Sequence, residues 1–215
     1  MTKAIVLLSG GLDSAVAAAC AAQRYDEIVT LNFYYGQRHK KEIQHARKLA
    51  EHFKWPYEVC AVNFPGGSAL IGNEGDISKE LRGLPASFVP GRNLVFLSLA
   101  AGLAYTVGAT VIVGGWNVVD YSGYPDCRQE FLDAAQEAIN LALGFGVHNL
   151  HYVIIYAPIV SYTKTNVILL GNELNVPFEL TWSCYEGRLR PCGICPSCVI
   201  RAKGFEDAGM KDPAL

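Results

Sequence analysis

Six consecutive residues, Ser9-Gly10-Gly11-Leu12-Asp13-Ser14, join the apolar run Ala4 to Leu8 to an alanine-rich stretch. The two glycines permit a tight turn and let backbone N–H groups approach an anion closely. A helix beginning here would add the positive end of its dipole. Ser9 and Ser14 can donate hydroxyl hydrogen bonds, and Asp13 can hold a magnesium ion carried by phosphates. A bare Ser-Gly-Gly would read as an ordinary turn with a capping residue. The full string, set between a strand and a helix, reads as a phosphate cradle. No GxxxxGK[ST] pattern is present, so this is not a loop of the Walker type that reaches a terminal phosphate.

A second cluster lies near the C-terminus. Cys184, Cys192, Cys195 and Cys198 supply four thiols within fifteen residues, spaced C-x7-C-x2-C-x2-C. Pro191, Gly193 and Pro196 provide the turns that fold so short a chain round one ion. Four thiolates in a closed tetrahedron form the usual structural zinc site, with no open position for catalysis. The competitor is an iron–sulfur cluster, because C-x2-C-x2-C also occurs in ferredoxins. Zinc is preferred, since no other feature suggests electron transfer or radical chemistry. Such a site would staple the tail down and hold Arg201 and Lys203 of the following short helix.

Four more segments are too polar for plain loops at strand ends: Tyr35 to His39, Pro90 to Asn93, Asn117 to Arg128, and Lys164 after Tyr162-Thr163. Arg92-Asn93 could simply cap a helix, and the basic stretch Arg38 to Lys54, Glu42 included, reads as a solvated face. His39, His45, His52, His148 and His151 show no metal-ligand spacing.

The elements that must position these groups alternate. Strands are expected at Ala4 to Leu8, Ile28 to Phe33, Tyr57 to Val62, Thr110 to Gly114 and Tyr152 to Tyr156. Helices are expected at Asp13 to Arg24, Gln37 to Lys54, Arg92 to Val107, from Pro125 onward, and Lys164 to Leu174. Arg92 to Val107 is apolar almost all round and so reads as buried. In the helix from Pro125, Phe131, Ala134, Ala135, Ala138, Leu141 and Ala142 are expected to make the apolar face. Asn63 to Gly91 is Gly- and Pro-rich with little periodicity, a lid, a binding loop or a tolerated surface insertion. This order implies an open, mostly parallel α/β sheet with helices on both faces, and ligands at the carboxyl ends of its strands.

Composition closes off other classes. Of 215 residues, 51% are hydrophobic and 18% charged, which excludes a disordered chain, a coiled coil or a collagen-like repeat. The formal net charge of −2 offers no global field for nucleic acid. The clustered cysteines suit a reducing compartment better than a secreted disulfide framework. The N-terminal apolar run is too short for a signal peptide and no stretch is long enough for a membrane span, so a cytoplasmic protein is expected.

The phosphate loop resembles the PP-loop of the N-type ATP pyrophosphatases. That resemblance implies five parallel strands, and cleavage of ATP between its α and β phosphates while a carbonyl or carboxyl oxygen is adenylated. The strings SGGLDS, YGQRHKKE, PGRNLVFLSLA, SGYPDCR, the TK of YTKTN and TWSCYEG…CGICPSC together resemble one family, the 7-cyano-7-deazaguanine (preQ0) synthases of queuosine biosynthesis. They run in order from Ser9 to Cys198; only Asn63 to Pro90 carries no matching string. The resemblance implies an ATP-dependent, carbon–nitrogen bond-forming ligase that converts 7-carboxy-7-deazaguanine and ammonia to the nitrile. No glutaminase domain is visible, so free ammonia is the expected nitrogen source.

On this reading Leu8, Ser9, Gly10, Gly11, Leu12, Asp13, Ser14 and Arg92 bind ATP with its Mg²⁺, and the four cysteines hold one structural Zn²⁺. Arg92 and Lys164 would stabilise charge on phosphorus, while Asn93, Asp120, Asp126 and Arg128 are candidates for the deazaguanine and its carboxylate. Residues 1–180 would form the nucleotide-binding domain and 181–215 a zinc-binding segment packed on it. No nucleic-acid or membrane partner is expected, and a homodimer is left open. The rivals are a tRNA-modifying PP-loop enzyme and a non-catalytic zinc-stapled nucleotide-binding module.

Overall fold

The computed structural model describes residues 1–64, 68–71, 80–119, 124–145 and 152–214. Strand β1 (Lys3–Leu7) is central, because its side chains are apolar on both faces. Ala4 and Val6 enter one core and Ile5 enters the other. Beside it lie β2 (Glu27–Tyr34) and then β3 (Tyr57–Ala61). The strands on its other side are β6 (Val111–Val113) and β7 (Ile154–Tyr156), giving the order β3-β2-β1-β6-β7. All four pairings are parallel.

Helices cover both faces, as expected. On the first face pack α1 (Leu12–Ala22), α2 (Lys41–Phe53), α5 (Lys164–Glu173) and α6 (Pro196–Asp207). The buried alanines of α1, from Ala15 to Ala21, bring that helix close to the sheet. The second face holds α3 (Arg92–Val107) and α4 (Gln129–Ala142). The chain leaves β1 for β2 on one side and reaches β6 on the other, so the sheet order switches at the carboxyl end of β1. That is where crevices form in open α/β sheets.

Several sequence expectations need correction. Helix α2 starts at Lys41 rather than Gln37, because Gly36 takes a positive φ of 76° and the Gln37 side chain accepts from Tyr35 N and donates to Phe33 O. Helix α3 is not buried all round: Leu94, Leu99 and Tyr105 are exposed. Helix α4 begins only after a 3-10 turn at Pro125–Cys127. It buries Leu132, Ala135 and Ile139, whereas Ala134, Ala138, Leu141 and Ala142 face outward. The core contact therefore selects a different stripe from the one its alanines suggested.

The Asn63 to Gly91 stretch is more than a surface insertion. Its described part carries the antiparallel hairpin β4 (Glu80–Leu81) and β5 (Leu84–Pro85), and buries Ala69, Leu70 and Val89 in the second core. Among the described residues, no helix is long and apolar enough to cross a membrane.

The tail is anchored by its own buried ion pair. Arg201 Nε donates to Asp212 at 2.7 Å, and its terminal nitrogens donate to Thr181 Oγ1, Ser183 Oγ and the Phe178 carbonyl. Both partners are under a tenth exposed, so removing either alone would cost about 3–5 kcal/mol. Phe205 of α6 enters the same core as α1. Lys203, by contrast, makes only an exposed pair with Asp207 one helical turn on.

Candidate active site

The phosphate loop closes on itself. Ser9 Oγ donates to Ser14 Oγ at 3.0 Å, Ser14 Oγ lies 2.9 Å from the Gly11 carbonyl, and Gly11 N–H donates to Ser9 Oγ. Gly11 is the N-cap of α1 and offers no side-chain cap, leaving the first-turn N–H groups for an anion. Gly10 has a second task beyond backbone freedom. Its φ is +88°, and a Cβ there would fall 2.2 Å from the Glu42 carbonyl oxygen. The loop and the first turn of α2 thus touch backbone to backbone. Gly115, just past β6, does the same on the other side, since a Cβ would fall 2.7 Å from the Asp13–Ser14 peptide.

Lys164 reaches this loop from α5. Its ammonium lies 2.5 Å from Asp13 Oδ1, although the two residues are 151 positions apart. Thr163 caps α5 by accepting from Asn166 N–H, which fixes the helix start from which Lys164 extends. Trp182 lies against the loop, its backbone N–H donating to the Gly10 carbonyl at 2.8 Å while its indole N–H donates to the Cys184 carbonyl at 2.7 Å.

From the loop a cavity of about 270 Å³ runs over the carboxyl ends of β1, β2 and β6. Ser9, Gly11, Asp13 and Ser14 line one region of it. Phe33, Tyr35, Phe96, Trp116 and Tyr124 give it an aromatic lining as well. Phe33 and Phe96 stack at 3.9 Å with their planes 3° apart. Arg92 and Glu42 bring charge into the cavity. Arg92 Nη1 donates weakly to Tyr35 Oη at 3.5 Å, and its Nε is buried without a hydrogen-bond partner. Burial pushes the Glu42 carboxyl up to about 7, with Arg92 pulling the other way. The Tyr35 phenol is pushed up to about 12 by the same desolvation.

The sequence-based candidates separate into groups. Leu8, Ser9, Gly11, Leu12, Asp13, Ser14, Arg92 and Asn93 all line the cavity. Asp126 lies behind the wall, where its Oδ2 accepts the Asn93 N–H at 3.3 Å and its backbone oxygen accepts from Asn93 Nδ2 at 2.9 Å. Burial raises its pKa despite Arg92 nearby. Arg128 is exposed at the N-cap of α4, outside the cavity lining. Asp120 lies outside the described residues, as do His148 and His151.

Three further residues reach the cavity. Glu42 ends the string YGQRHKKE but reads from the sequence as part of a solvated basic face, Trp182 stands in TWSCYEG without a role of its own, and Trp116 lies in no matching string. Two histidines, one before α2 and one in it, also have work: His45 Nδ1 is 2.7 Å from the Leu180 carbonyl, and its ring lies 5.4 Å from the Trp182 ring. His39 Nε2 is 3.1 Å from the Cys184 carbonyl.

The four cysteines converge. One sulfur from each of Cys184, Cys192, Cys195 and Cys198 lies within 4.8 Å of the others, and the Cys192 and Cys198 sulfurs are 4.0 Å apart. Four sulfurs each 2.3 Å from one tetrahedral ion would be about 3.8 Å apart, so the set fits a single zinc ion with slight contraction. Backbone N–H groups of Glu186 and Cys192 point at Cys184 Sγ, and that of Cys195 at Cys192 Sγ, each at 3.3 Å. These donors suit thiolates.

Residues 3–209 match the family described as queuosine biosynthesis protein QueC. The chain is 42% identical to a 7-cyano-7-deazaguanine synthase of Picrophilus torridus, over 99% of this chain and 90% of the relative. It is 44% identical to the protein of the same name from Acetivibrio thermocellus, over 99% and 96%. Among solved structures it is similar to a 4-thiouridine synthetase in complex with RNA and bound ATP. The TM-score is 0.53 and the identity 17%, covering 97% of this chain and 50% of that one. The last likeness concerns the fold alone.

Proposed function

The chain belongs to the QueC family of queuosine biosynthesis proteins, and on that premise we propose that it is a 7-cyano-7-deazaguanine synthase acting on 7-carboxy-7-deazaguanine, ammonia and ATP. The observation that carries this reading is one cavity joining the glycine-rich loop to an aromatic region with a half-buried arginine.

A carboxylate is a poor electrophile and must be activated before ammonia can attack it. In this mechanism an oxygen of the acid attacks the α-phosphorus of ATP, and the bond to pyrophosphate breaks. The loop N–H groups and the Ser9 and Ser14 hydroxyls hold the departing pyrophosphate. Ammonia then attacks the acyl carbon, loses a proton and expels AMP, leaving the amide. The amide oxygen attacks a second ATP in the same way. Loss of the remaining N–H protons and of AMP then gives the nitrile.

Lys164, beside Asp13, would offset negative charge at the phosphates. Arg92 sits among Tyr35 and Phe96 rather than against the loop, which supports a role on the acid instead of on phosphorus. Mg²⁺ bound with ATP would neutralise phosphate charge, and the second Asp13 oxygen is the ligand this chain would offer it. The four cysteines would hold one structural zinc, stapling residues 181–215 to the rest. Free thiols at all seven cysteines suit a cytoplasmic enzyme.

The test is mass spectrometry of a reaction containing the acid, ammonium, ATP and Mg²⁺. Nitrile and AMP should accumulate together. Turnover of ATP only in the presence of tRNA would overturn the reading.

A further inference from the structure

Glu42 and Arg92 are two opposite charges in one cavity that do not pair with each other. Arg92 acts electrostatically on Glu42, yet no ion pair within 4.0 Å joins them. The Glu42 carboxylate has no hydrogen-bond partner among the described residues. Both residues are half-buried, and Arg92 holds the long bond to Tyr35; a partly desolvated charge without an ionic partner is costly. A cavity that keeps both in this state is built for a ligand presenting an acceptor to one and donors to the other. The position of Glu42 is not adjustable, because the backbone of its helical turn is seated on Gly10. The surrounding rings of Phe33, Phe96 and Tyr35 suit a planar heterocycle.

We propose that Glu42 is the specificity residue of the site, accepting the ring N–H and exocyclic amine of a deazaguanine base while Arg92 donates to the acceptor rim beside them. This rests on the functional reading above. The order of groups round the base agrees with it. The carboxylate at position 7 and the ring carbonyl are neighbours on one rim, and a guanidinium fork can bridge two such acceptors. The ring N–H and the amine follow directly, and a carboxylate takes two parallel N–H donors. Adjacent groups on the ligand thus meet adjacent side chains on the protein. An adenine ring has no N–H at the matching ring position; it offers a lone pair there, which a carboxylate repels.

The test is calorimetric binding of two ligands to the full chain, in the absence of ATP. One ligand is 7-carboxy-7-deazaguanine; the other is the same acid without its exocyclic amine. In the wild type, loss of the amine should weaken binding roughly 30-fold, or about 2 kcal/mol. In Glu42→Gln the two ligands should differ less than about 3-fold, since a neutral amide gains little from the donor. Binding of a non-hydrolysable ATP analogue should be the same in both proteins. Glu42→Asp, which keeps the charge, should recover part of the discrimination and serves if the glutamine variant folds poorly. Equal discrimination in wild type and variants, or a selective loss of ATP-analogue binding, overturns the role of Glu42. A wild-type chain that binds neither acid but still binds the ATP analogue overturns the functional reading, and this inference with it.

Discussion

The ammonium of Lys164 lies 2.5 Å from a carboxylate oxygen of Asp13. Asp13 belongs to the loop proposed to hold pyrophosphate, and Lys164 begins a helix 151 positions further along the chain. The lysine is nearly buried while the aspartate is partly open, so the pair locks α5 to the loop while Asp13 still lines the cavity.

Asp13→Asn should therefore abolish turnover, by at least about 100-fold, with the fold kept. The amide preserves shape but weakens the bond to Lys164, costing about 1–3 kcal/mol and several degrees of melting temperature. Circular dichroism and steady-state rates check both parts. Near-normal turnover in the folded variant would remove Asp13 from the chemistry.

The cysteine site predicts a colourless protein with close to one zinc per chain, measured by elemental analysis. Cys195→Ser should lower the melting temperature before it lowers the rate at saturating substrates, because a closed tetrahedral site has a structural task. A brown protein with broad visible absorbance and bound iron would favour a cluster instead.

Adenylation makes an isotopic prediction. With heavy oxygen in the carboxylate of 7-carboxy-7-deazaguanine, label should pass to AMP in the amide-forming step and again in the nitrile-forming step. Mass spectrometry of the nucleotides reads it directly. Label in inorganic phosphate alone would mean transfer of the terminal phosphoryl group, a reaction for which the loop has no Walker-type lysine.

Glu42 predicts a pH-dependent stability of the ligand-free protein. Its folded pKa is raised to about 7 from 4.5, because burial disfavours the carboxylate. Between these values the folded chain holds the proton more tightly than the unfolded chain. Stability is therefore best below the lower value and declines as pH rises through the upper one, by up to about 3 kcal/mol. Glu42→Gln cannot ionise, so its melting temperature relative to wild type should rise between pH 5 and pH 8. A difference that does not change with pH would show that this carboxyl ionises normally.

The phosphate loop and the cysteine cluster were legible because each is local. Ser9 to Ser14 and Cys184 to Cys198 carry their residue types, spacing and turn formers within one short segment. The alternation of β-runs and helical patterns was legible for the same reason, and with it a parallel sheet covered on both faces; the strand order β3-β2-β1-β6-β7 was not. Helix faces were less so: the alanines of α4 resemble a core stripe, but the sheet beneath selects Leu132, Ala135 and Ile139.

The sequence by itself determined which segments are proposed to bind phosphate and could hold a metal, since those residue types lie in contiguous stretches. Only the tertiary structure decided which distant residues share the site. Parallel strands all end on one edge, so the segments after β1, β2 and β6 converge there although they are far apart in the chain. That convergence turned Glu42 from a surface acid into a cavity carboxylate, joined Lys164 to Asp13, and set Asp126 behind Asn93. Burial and partner identity are properties of the packed edge, and no single segment carries them.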